Sequence, residues 1–185
     1  MDKPAFLQQK IAPGETPGYF DSVKTVEDIL TKAKAYCSAK MGVTVTSVPE
    51  LLKTSHTGAY SYFNYSIARQ LGEVLGRVCK NVKAVYALDF AENIQEEKWH
   101  EIDQTIHIIL RVERKTNSVA VLIDTLHDAL IQQYKQLLGK DTLAYVLDAH
   151  LVDDEDIKSR TGYGALLGSV YQSPIHVWGE KLNNI

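Results

Sequence analysis

The hydrophobic period of this chain changes twice between Asn81 and Val152, and those two changes limit the possible fold more than any other feature. Val82, Ala84, Val85, Tyr86, Ala87 and Leu88 are β-branched, aromatic and apolar positions suited to a strand buried on at least one face. Thr105–Val112 is a second such run. The polar stretch Glu113–Ser118 separates it from Val119–Ile123, which predicts an antiparallel hairpin with a long loop. From Asp124 the period lengthens to about 3.6, with Leu126, Leu130, Tyr134, Leu137 and Leu138 on one face. That stripe predicts an amphipathic helix closed by Gly139. Leu143–Leu147 reads as a further strand, and a strand–helix–strand connection of this length favours a parallel crossover. The expected strands are therefore 82–88, 105–112, 118–123 and 142–148, the last two parallel across a Thr125–Leu138 helix.

Upstream, Tyr60, Phe63, Ile67, Leu71, Val74, Leu75 and Val78 recur in steps of three and four, placing a long helix over Ala59–Lys80. An earlier helix is predicted over Thr25–Lys40, with Thr25 and Asp28 as a variant capping box and Val26, Ile29, Leu30, Ala33 and Cys37 as its apolar stripe. Ser47-Val48-Pro49-Glu50 signals a short helix through Leu51 and Leu52. The first twenty or so residues, with Pro4, Pro13, Gly14, Pro17 and Gly18, hold no period and read as an extended arm or surface loop. The fold class is α/β (α+β): a mixed sheet of about four to five strands flanked by helices, with an N-terminal helical extension. One domain is expected over 1–185, with arm and helices in 1–58 and the α/β core in 59–180.

Composition narrows the function. At 185 residues, 45% hydrophobic and 23% charged, the chain is long enough for a full core. A net charge of −3 and a pI near 6.1 remove the broad attraction to phosphate backbones that nucleic-acid binders use. No apolar run approaches the ~20 residues of a membrane span, and Met1-Asp2-Lys3-Pro4 lacks the apolar core of a signal peptide. Cys37 and Cys79 have no Cys-x-x-Cys spacing and read as free thiols, so the expected compartment is the cytoplasm.

The order of elements is suggestive. A long helix, a strand of the form Val82-x-x-Val85-Tyr86-x-Leu88, a helical linker through Glu92–His100, a hairpin, a helix and a strand before an acidic loop resembles the nucleotidyltransferase fold in its small, minimal members. The tail Ser169–Glu180 is similar to the helix and short strand with which many such domains end. Across the span 59–180 the resemblance implies a Gly-Ser pair after the first strand, where Asp89 and Phe90 stand. It implies two carboxylates at the start of the next strand, where Thr105 and His107 stand, and a third on the strand after the helix, near Ala144 or Tyr145. Those carboxylates would hold divalent metal against a triphosphate. Glu101 and Asp103 lie close to the expected pair, but Asp89 would repel a triphosphate. The resemblance therefore implies a version without nucleotidyl transfer, acting by binding in a regulatory or assembly role.

Three other constellations stand out. Asp124, Asp148 and His150, with His127 and Asp128 nearby, are the metal candidate, since Asp124 and Asp148 are expected at the C-terminal edges of parallel strands. Such oxygen and imidazole ligands suit a divalent Zn, Mn or Fe ion and would make a metal-dependent enzyme. Asp124 as an N-cap and Asp148 as a strand end explain the same residues without metal. The run Asp153–Asp156 reads as a solvated loop. Arg160, Gly162 and Gly164 are the ligand-binding candidate, a glycine-containing turn able to direct amides at an anion. Tyr60 and Phe63 read as core, whereas Tyr62 and Tyr65 are the interface candidate for a homodimer or another protein partner. No Gly-x-Ser-x-Gly elbow is present, so no residue is assigned a catalytic role.

Overall fold

The structure is a computed structural model and describes residues 20–88, 105–141, 143, 145–167, 169 and 174–182. The expected N-terminal arm, the 92–100 linker, Asp89, Phe90, Glu101, Asp103 and Ala144 lie outside them. Helix α1 (Ser22–Met41) carries Val26, Ile29, Leu30, Ala33 and Cys37 on its buried face. Its cap is Asp21, whose carboxylate accepts the Lys24 amide at 3.0 Å, in place of the Thr25–Asp28 box. A 3₁₀ turn (Val45–Ser47) leads to α2 (Val48–Lys53), which has proline in its first turn and no side-chain bond from Ser47. Helix α3 (Thr57–Val78) buries Tyr60, Phe63, Ile67, Leu71 and Leu75, the predicted stripe.

Strand β1 (Val82–Ala87) runs antiparallel to β2 (Ile106–Val112), from Val82 opposite Val112 to Ala87 opposite Ile108. The chain then enters α4 (Asn117–Leu138) directly. The predicted strand 118–123, and the hairpin it would have made with 105–112, do not form. Val119, Ala120, Leu122 and Ile123 are buried while Val121 is 51% exposed, a helical repeat that Leu126, Leu130, Tyr134 and Leu138 continue. A short apolar run cannot be told from a buried helix turn by its period, and burial against the core overrides the β preference of its valines and isoleucine. Helix α4 ends as expected at Gly139, at φ 64° with its amide on the Lys135 carbonyl.

Strand β3 (Leu147–Val152) is parallel to β2. It starts later than the predicted 142–148, because the alternation of buried and half-buried positions begins only at Leu147. The parallel crossover around α4 thus exists, but it leaves from β2. Two short helices, α5 (Asp154–Ser159) and α6 (Gly164–Leu167), precede β4 (Ile175–Gly179), which pairs antiparallel with β1. The sheet order is β3-β2-β1-β4.

One cluster of buried side chains links α1, α2, α3 and α4 to Val85, Ala87, Ile108, Leu110 and Ala149 on the first face of the sheet. The N-terminal helices are part of this core. Strand β4 is keyed to it by Trp178, whose indole lies where a Cβ on Gly76 would come within 1.9 Å. The opposite, second face carries Ala84, Tyr86, Ile109 and Val152, with Ile157 of α5 packed on them. Because strand side chains alternate, that second face also receives His107, Asp148 and His150.

Candidate functional site

The parallel register sets His107 of β2 beside Asp148 of β3, and the two-residue period places His150 on the same side. Asp148 Oδ2 accepts from His107 Nδ1 at 3.0 Å and from His150 Nε2 at 2.8 Å. The Tyr145 hydroxyl donates to Oδ1 at 3.1 Å. One carboxylate therefore serves three donors. Burial alone would raise the Asp148 pKa, but the hydrogen bonds from both histidines, the charge of His150 and the Tyr145 hydroxyl outweigh it. The carboxyl is held well below its usual range. Burial, followed by the Asp148 charge, pushes the Tyr145 phenol up.

The cluster extends both ways around the edge strand. The Tyr163 ring lies flat on His150, centroids 3.5 Å apart and 13° from parallel. On the other side the Tyr145 ring meets His127 of α4 edge-on at 4.9 Å. The Val146 amide donates to His127 Nε2 at 3.3 Å, so that nitrogen presents its lone pair. Burial lowers the His127 pKa, partly offset by the charges of Asp128 and Asp124, which fits a neutral ring.

Of the metal candidate, Asp148 and His150 come together. Asp124 does not stand at a strand end: it lies within α4, whose cap is Thr116, and acts on this cluster through its charge on His127 and Tyr145. Asp148 lies near the beginning of β3, not at its C-terminal edge. Among the described residues, no three His, Cys, Asp or Glu side chains are arranged to hold a metal ion.

Arg160 caps α5 at φ 53°, and Gly162 also has positive φ. The amides of Arg160, Thr161, Gly164 and Ala165 are bound to local carbonyls, so these are not available to an anion. Gly164 begins α6 against the Asp156 backbone, which a Cβ would approach to 2.5 Å. The turn instead delivers Tyr163 to His150. The acidic run starts a helix rather than a loop, with Asp154 and Glu155 exposed as expected and Asp153 and Asp156 half-buried. Asp153 and Asp156 form the capping box of α5, Lys115 bonds Asp156 at 2.6 Å, and Arg111 bonds Asp154 at 2.9 Å.

Tyr62 is 38% exposed and Tyr65 half-buried. Both rings pack on Tyr36 of α1, at 6.4 and 5.9 Å, with Lys40 over Tyr36. Tyr60 and Phe63 are in the core as predicted.

Comparison of the chain with family models, curated proteins and solved structures finds no match. Sequence reasoning did not assemble His107, Tyr145 and Tyr163 with Asp148, although the alternation His107-x-Ile109 and Asp148-x-His150 is the signal that would have found the first pair. No helix among the described residues is long and apolar enough to cross a membrane.

Proposed function

We propose that the protein is a nucleotidyltransferase-like domain without transfer chemistry, acting by binding in a regulatory or assembly role. The observation that carries this reading is the occupation of Asp148. The strand after α4 begins at Leu147, and we take Asp148, three positions beyond Tyr145, as the third carboxylate that the resemblance implies near Ala144 or Tyr145. Opposite it, β2 offers His107 where the family would place a carboxylate. Among the described residues this carboxylate stands without a second one beside it, and, already accepting from three donors, it lacks the paired negative charge that holds divalent metal on a triphosphate. Incubation with Mg²⁺ or Mn²⁺ and labelled nucleoside triphosphates is expected to release no pyrophosphate.

The binding surface we favour is the Tyr36–Tyr62–Tyr65 patch across α1 and α3, with a second copy of the chain as partner in a cytoplasmic homodimer. Partly exposed, mutually packed tyrosines lose little side-chain freedom on association and bury large apolar area. Light scattering is expected to report a dimer that Tyr62→Glu with Tyr65→Glu dissociates. A monomer at high concentration would remove this interface. The alternative, a metal-dependent enzyme with a site at Asp124, Asp148 and His150, loses support because Asp124 lies apart within α4 and Asp148 Oδ2 is already occupied by His107 and His150. It gains if Mn²⁺ binds one-to-one and binding is lost in Asp148→Asn.

A further inference from the structure

We draw no further inference here: the strongest candidate, the His107–Asp148–His150 side-chain cluster under Tyr163 on the second sheet face, belongs to the site already described.

Discussion

Replacing Asp148 by alanine removes the acceptor shared by His107, His150 and Tyr145. A hydrogen bond to a charged group contributes about 1.5–3 kcal/mol, and breaking a buried pair costs about 3–5 kcal/mol. The side chains here are not fully buried, with 20% of Asp148, 17% of His150 and 31% of His107 exposed, so water recovers part of the loss. The expected destabilisation is about 2–4 kcal/mol at pH 7, or about 2–4 °C in Tm for each kcal/mol in a chain of this size. The pH dependence has a definite sign. The folded-state pKa of Asp148 is depressed, so its contribution is complete above the unfolded value of about 3.9 and is lost as pH falls toward the folded value. Urea unfolding of the wild type and Asp148→Ala, followed by circular dichroism at pH 7 and at lower pH, measures the gap. A gap below 0.5 kcal/mol at pH 7, about the size of an ordinary surface substitution, would refute the reasoning. So would a gap that stays constant as the pH falls below that of free carboxyls.

Other expectations concern the core. Gly76→Ala sets a methyl within 1.9 Å of the Trp178 ring; overpacking of this kind costs about 1–3 kcal/mol. In a Trp99→Phe background, Trp178 emission should shift to the red, and unchanged emission would show that β4 is not keyed to α3. Tyr134 donates to Asn64 Oδ1 at 3.1 Å in the core, so Tyr134→Phe should lose about 1–2 kcal/mol by calorimetry. The Tyr60 hydroxyl is buried without a partner among the described residues, and its pKa is pushed up to about 12 by burial. Tyr60→Phe should therefore be neutral or stabilising, and equal losses in the two variants would contradict the hydrogen-bond assignment.

The helices were legible because their apolar stripes are long. Tyr60 to Leu75 in α3 and Leu126 to Leu138 in α4 repeat over several turns, and a long stripe outweighs local propensity. The start of α4 was hidden by Val119, Val121 and Ile123, whose branching favours strands when read alone. Only the sharp contrast of exposed Val121 with its buried neighbours separates helix from strand there. The site was obscured by register. Ending the strand at the charged Asp148 put Tyr145 in the ladder and concealed that Asp148 and His150 alternate with Leu147, Ala149 and Leu151. Tyr163 was beyond sequence reasoning, because its contact with His150 depends on two left-handed positions, Arg160 and Gly162, in one short turn. The ion pairs of the acidic run were hidden because its partners, Arg111 and Lys115, are distant in the chain.

The most direct test of a binding role without transfer is pyrophosphate release from each labelled nucleoside triphosphate in the presence of Mn²⁺, with Asp148→Asn and Asp103→Asn beside the wild type. Removing metal-bound carboxylates from a working site of this kind costs several kcal/mol of transition-state stabilisation, so true transfer would collapse in those variants. The account predicts no release above the protein-free control in any of the three. Release by the wild type that disappears in Asp148→Asn or Asp103→Asn would contradict it and restore nucleotidyl transfer.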